Sequence, residues 1–150
     1  MARVFVLINQ KGGVGKTTTV INLACWAAMD GQAVLVVDAD PQGNATSGLG
    51  IDRHDLNLCI YDALVNEDAE AAVSIDEIVV GTQIDNLHVV PATIALAGAD
   101  MALSTVLARE RRLRTILEAV RDDYDVIFID TPPSLGILSI NSLAAADQVV

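Results

Sequence analysis

The 150-residue sequence is poor in aromatic residues, which make up 3% of it against 52% for apolar residues as a whole. Its interior must therefore be built from Val, Ile, Leu and Ala, the composition of a buried parallel sheet covered by helices. Only two cysteines occur, Cys25 and Cys59. They are too few for a disulfide framework, and both read as reduced, buried thiols of a cytosolic protein. No apolar run reaches the roughly 18 residues of a membrane span. The opening stretch from Met1 to Ile8 is apolar too briefly for a secretory signal, and it runs into Lys11 and a glycine loop instead of a cleavage site. Positive charge is scarce in most of the chain. Net charge is −11, yet residues 1–50 are balanced, with Arg3, Lys11 and Lys16 against Asp30, Asp38 and Asp40. The excess falls on residues 51–150, where six arginines face seventeen acidic residues. Such a surface repels a nucleic acid at long range.

Apolar runs alternate with helical patterns. Val4 to Ile8 is a short continuous run that reads as a buried strand, and Lys16 to Asp30 as a largely buried helix with Gly31 as its stop. Ala33 to Val37 is a second strand ending at Asp38. Residues 41–50 hold Pro41, Gly43, Asn44, Ser47, Gly48 and Gly50, a loop signature. Residues 52–80 are acidic and read as helical in part, around Ile60 to Leu64. Leu87 to Val90 is a strand ended by Pro91. From Val106 the spacing turns helical, with Val106, Leu113, Leu117 and Val120 on one stripe. Val126 to Ile129 is a strand ending at Asp130, Gly136 to Ala146 a helix, and Gln148 begins another strand. Alternation of this kind implies right-handed crossovers and a mostly parallel sheet.

The segment Lys11-Gly12-Gly13-Val14-Gly15-Lys16-Thr17-Thr18 lies between a strand and a helix. Glycines there let backbone N–H groups turn inward around phosphate oxygens, and the helix adds its positive end. Lys16 supplies a charge for the β- and γ-phosphates, and the Thr17 hydroxyl is suited to Mg²⁺. Asp38 and Asp40 follow the second strand, where open α/β sheets bind ligands. Period-2 alternation puts them on one side, one to orient a water and one to help hold Mg²⁺. Asp130 ends its strand as an acid aimed at the metal shell.

The loop departs from the usual phosphate-binding pattern: Gln10 stands where the first glycine belongs, and Lys11 is extra. This form resembles the deviant Walker A motif of the ParA, MinD and nitrogenase iron-protein group. Asp38-Ala39-Asp40-Pro41-Gln42-Gly43-Asn44 is similar to switch I of ParA/Soj proteins, and Asp130-Thr131-Pro132-Pro133-Ser134 to their switch II. Gly43 to Gly50, Val90 to Thr93, Leu96 to Ala99 and Pro133 to Gly136 look like Soj-type partition proteins more than MinD. The resemblance covers essentially the whole chain.

It implies an α/β P-loop NTPase with a mostly parallel, Rossmann-like sheet and helices on both faces. It also implies that residues 1–150 are the amino-terminal part of one truncated ATPase domain. Expected site residues are Gly12, Gly13, Val14, Gly15, Lys16, Thr17 and Thr18 for nucleotide, Thr17, Asp38 and Asp130 for metal, and Lys11, Lys16 and Asp40 for catalysis. Lys11 is expected to reach a partner's nucleotide across a dimer, and Asp40 to serve hydrolysis. The implied cofactors are ATP and Mg²⁺. The implied function is a slowly hydrolysing dimerisation switch in chromosome or plasmid partitioning. Its implied partners are a second copy, a ParB-type centromere-binding protein and non-specific DNA, with no membrane, in the cytoplasm on the nucleoid. In such proteins the remaining strands and helices carry the adenine contacts and most of the DNA surface, so residues 1–150 alone are expected to hydrolyse ATP and bind DNA poorly. The alternatives are a MinD-like membrane-surface ATPase, which needs a terminal amphipathic helix, and a non-catalytic fragment. A reductase component would need cluster cysteines, and Cys25 and Cys59 do not match those positions.

Other polar residues read as structural. Arg109, Arg111, Arg112 and Arg114 form a cluster, but Glu110 and Glu118 stand four residues either side of Arg114, so ion pairs on a solvated helix face account for it. His54 and His88 lack partners at metal-ligand spacing.

Overall fold

A computed structural model describes residues 1–66 and 72–150. Its centre is a six-stranded sheet. In chain order the strands are β1 (Arg3–Leu7), β2 (Val34–Asp38), β3 (Val80–Gly81), β4 (Leu87–Val90), β5 (Val126–Asp130) and β6 (Gln148–Val149). They lie side by side as β3-β4-β2-β5-β1-β6. All neighbours are parallel except β3, which pairs antiparallel with β4. Every residue of β2 and β5 is buried, which is why both read as unbroken apolar runs.

Alternate side chains feed two cores. Leu35, Val37, Ile127 and Ile129 join one; Val34, Val36, Val126 and Phe128 join the other. The first is covered by α3 (Ile60–Val65), α4 (Ile75–Ile78), α5 (Ala99–Ala102), α6 (Arg112–Glu118) and α7 (Ile137–Ala145); the second by α1 (Lys16–Met29) and α2 (Asn44–Gly48). Helices thus cover both faces, as expected.

Four expectations need correction. Helix α1 is not buried on most faces. It packs through Val20, Ala24, Ala27 and Ala28, while Trp26 is 71% exposed and Leu23 and Met29 also face outward. A seam of small residues brings the helix close to the sheet and leaves the larger side chains outside. The expected loop at 41–50 contains α2, whose buried Thr46 is anchored to β2. Helix α6 begins only at Arg112, after a 3₁₀ turn over Arg109–Arg111 entered through Ala108 at φ 52°. Its stripe nonetheless lands as expected, with Leu113, Leu117 and Val120 buried and Val106 packed beside them. Strand β3 was not foreseen. Its hairpin turns through Asn86 at φ 66°, a left-handed position that asparagine tolerates. The acidic stretch 67–71 lies outside the described residues.

Candidate nucleotide and metal site

Strand β5 lies between β1 and β2, with Asp130 in register with Leu7 on one side and Asp38 on the other. The loop after β1, the carboxylates after β2 and β5, and the start of α1 therefore meet at the carboxyl end of the sheet. A cleft of about 310 Å³ opens there, lined by residues 12–18 with Asp40, Gln42, Asn44 and Pro133.

The loop has the geometry of an anion cradle. Gly13 and Gly15 adopt φ of 70° and 89°, which side chains resist. Gly15 is the N-cap of α1 and offers no side-chain cap, and the first turn holds no acidic residue. The positive helix end therefore faces the cleft with no acidic residue of its own first turn against it. Lys16 Nζ rests 3.4 Å from the Asn9 carbonyl, a long, weak bond. Lys11 does not line the cleft. It is exposed, and its backbone N–H donates to Asn9 Oδ1 at 2.9 Å.

Behind the loop, Thr17 Oγ1 donates to Asp130 Oδ2 at 2.7 Å. Asp130 is fully buried, and its Oδ1 has no donor among the described residues. Burial pushes its carboxyl up to about 6; the charge of Asp40 adds to this, against the Thr17 bond and the charge of Lys16. A buried carboxylate with a vacant oxygen beside a hydroxyl is a donor set suited to a hard cation such as Mg²⁺.

Asp40 reaches the cleft, with its Oδ1 accepting the Gln42 N–H at 2.9 Å. Asp38, expected beside the metal, is engaged by Thr46 and the Asp40 backbone. Its Oδ2 accepts both the N–H and the hydroxyl of Thr46, at 2.8 and 2.7 Å, and its Oδ1 accepts the Asp40 N–H at 3.1 Å. Thr46 Oγ1 in turn accepts the Ala92 N–H at 3.0 Å. Burial pushes Asp38 up to about 6, opposed by these hydrogen bonds. The carboxylate thus ties α2 and the segment after β4 to the end of β2. Thr46 was missed because a threonine in a glycine-rich stretch carries no signal of the partner it will meet.

The arginine cluster is only partly a solvated face. Arg114 pairs with Glu118 at 3.9 Å, but Glu110 makes no ion pair among the described residues. Arg112 instead donates to the carbonyls of Ala63, Leu64 and Asn66, closing the end of α3. His88 Nδ1 is 2.9 Å from the Tyr124 hydroxyl.

The cleft offers backbone amides and Lys16 to an anion, and Asp130 with Thr17 one layer deeper offers oxygens to a cation. That division, on a parallel sheet, is the design of the P-loop NTPases. The chain belongs to the AAA_31 family of AAA domains, whose model matches residues 2–150. It is 53% identical to the sporulation initiation inhibitor protein Soj of Bacillus subtilis (strain 168) over 150 residues, covering 100% of this chain and 57% of that protein. It is 49% identical to the chromosome partitioning protein ParA of Myxococcus xanthus (strain DK1622), covering 100% of this chain and 51% of that one. Among solved structures it is similar to cobyrinic acid a,c-diamide synthase from Mycobacterium smegmatis with bound ATP analogue and magnesium. That match has a TM-score of 0.92 and 40% identity over 99% of this chain and 59% of that one. The chain spans about half the length of the curated relatives it matches.

Proposed function

We propose that this chain supplies the Mg²⁺–ATP site of a slowly hydrolysing ATPase that works as a dimerisation switch in chromosome or plasmid partitioning. The observation that carries the reading is the vacant buried Oδ1 of Asp130, one hydrogen bond from Thr17 at the start of a phosphate-binding helix. The names Soj and ParA among its relatives favour partitioning over a MinD-like membrane role.

In this reading residues 12–18 hold the phosphates through backbone N–H groups, and Lys16 leaves the Asn9 carbonyl to neutralise them. Thr17 and Asp130 hold Mg²⁺, which draws charge from the phosphate oxygens when bound. Asp40 orients the attacking water and accepts its proton. Asp38 acts one step back: its oxygens are engaged by Thr46 and Asp40, so it braces the segment that carries Asp40. Lys11, exposed at the mouth of the cleft, is free to reach a second copy. The whole protein is then a nucleoid-associated cytoplasmic dimer that meets a ParB-type protein and non-specific DNA. The net charge of −11 on this chain favours a DNA surface elsewhere in that protein.

Titration calorimetry with ATP, with and without Mg²⁺, tests the site, and ATP turnover of Asp40→Ala tests the hydrolytic role. The expected outcome is Mg²⁺-enhanced binding, retained in Asp40→Ala, with turnover cut to a measurable residual rate and the ATP-bound dimer accumulating. Binding indifferent to Mg²⁺, or normal turnover in Asp40→Ala, would overturn the assignment.

A further inference from the structure

Asp40 is held by the turn it belongs to. Its side-chain Oδ1 accepts the Gln42 N–H, and its backbone carbonyl accepts the Gly43 N–H, both at 2.9 Å. The peptide unit between Gln42 and Gly43 is therefore fixed at its N–H end by Asp40 itself. Its other end, the Gln42 carbonyl, accepts a hydrogen bond from a guanidinium nitrogen of Arg53.

Arg53 lies eleven residues on, in a 3₁₀ turn over Arg53–Asp55 that Asp52 caps through the His54 N–H. Its side chain runs across Gly43. A Cβ at position 43 would stand 2.6 Å from Arg53 Cδ and 2.9 Å from its Nη1, and Gly43 has φ of 64°. Glycine is thus required by the backbone, and the same Cβ would stand 2.9 Å from the Ala92 carbonyl oxygen. Among the described residues no carboxylate lies within ion-pair distance of Arg53, so its charge is directed at this one carbonyl. A charged donor makes the stronger kind of hydrogen bond, and it fixes the plane of the peptide that closes the Asp40 turn.

We propose that Arg53 is a positioning residue for Asp40, setting the orientation of its carboxylate in the cleft without touching nucleotide. The role rests on the hydrolytic reading above. Arg53 is not among the residues that line the cleft, so it acts on turnover and not on affinity.

The test is ATP turnover and ATP–Mg²⁺ affinity for Arg53→Ala and Arg53→Lys, each alone and in an Asp40→Ala background, with thermal melting to confirm folding. Arg53→Ala is expected to lower kcat about tenfold, a fraction of the ~10²–10⁴ that a positioned proton acceptor contributes. Its affinity should stay within about twofold of wild type. Arg53→Lys keeps a charged donor and should recover part of the rate. In the Asp40→Ala background Arg53→Ala should change nothing further, since the residue acts through Asp40. Unchanged kcat in Arg53→Ala, an affinity loss matching the rate loss, or an equal further loss without Asp40 would each overturn the Arg53 role alone. Should Arg53→Ala fail to fold, Arg53→Met keeps the stem and removes the donor, and full turnover in it, or an affinity loss matching its rate loss, would overturn the role equally. Wild-type protein without turnover, or turnover indifferent to Asp40→Ala, would instead remove the hydrolytic reading and this role with it.

Discussion

Thr17 and Asp130 stand 113 residues apart in the chain, yet the hydroxyl of one donates to the carboxylate of the other at 2.7 Å. The bond joins the first turn of α1 to the end of β5, and so joins the proposed phosphate site to the proposed cation site. Among the described residues the other oxygen of Asp130 has no partner.

Thr17→Val keeps the shape of the side chain and removes the hydroxyl. It is expected to weaken ATP binding about tenfold in the presence of Mg²⁺ and to leave Mg²⁺-free binding nearly unchanged, a loss of about 1.4 kcal/mol. Calorimetry in the two conditions measures the difference. Equal losses in both would mean that Thr17 serves the phosphates and not the cation.

Lys16 is the one lysine that lines the cleft. Lys16→Ala should abolish tight nucleotide binding whether or not Mg²⁺ is present, because no other side-chain cation lines the cleft with it. Unchanged affinity by calorimetry would remove the phosphate-binding assignment.

Asp38 and Asp130 are both pushed up to about 6 by burial, against 3.8 for an ordinary aspartate. The fold therefore holds more protons than the unfolded chain between those values. The stability that the neutral carboxyls contribute is complete below the ordinary value and is lost as pH rises through about 6. Asp130→Asn removes one of the two buried charges. At neutral pH, without nucleotide, it should stabilise the protein by about 1–3 kcal/mol, and the gain should shrink in acid. Urea denaturation at neutral pH and below about pH 5 measures this. The same variant should lose Mg²⁺-dependent ATP binding. A variant less stable than wild type at neutral pH would show that Asp130 is ionised at no cost.

Thr46→Val should destabilise the fold by about 1–3 kcal/mol, because it leaves the Ala92 N–H and Asp38 Oδ2 buried with lost partners. Thr46→Ser keeps the hydroxyl and should recover most of the loss. Denaturation of the two variants side by side decides it; equal stabilities would mean that the bridge contributes nothing.

The sequence alone determined the strands of the sheet's centre and the phosphate loop. Val4 to Leu7, Val34 to Val37 and Val126 to Ile129 are legible because a strand buried on both faces admits only apolar residues, and the pattern needs no knowledge of neighbours. The glycines at 13 and 15 are legible for a similar local reason, since a positive φ is a property of one residue. Tertiary structure decided what depends on partners far along the chain. Whether Trp26 faces the core or the solvent is set by which side of α1 fits closely on the sheet, and the small residues Ala24, Ala27 and Ala28 won. That Asp38 meets Thr46 is decided by α2, a helix too short to declare itself. Arg53 gave no sign at all, since a lone arginine after a glycine-rich stretch looks like any surface residue until its reach to the Gln42 carbonyl is seen. Local rules write strands and loops into the sequence; hydrogen bonds between distant residues depend on how the chain folds back, and no window of sequence contains both ends.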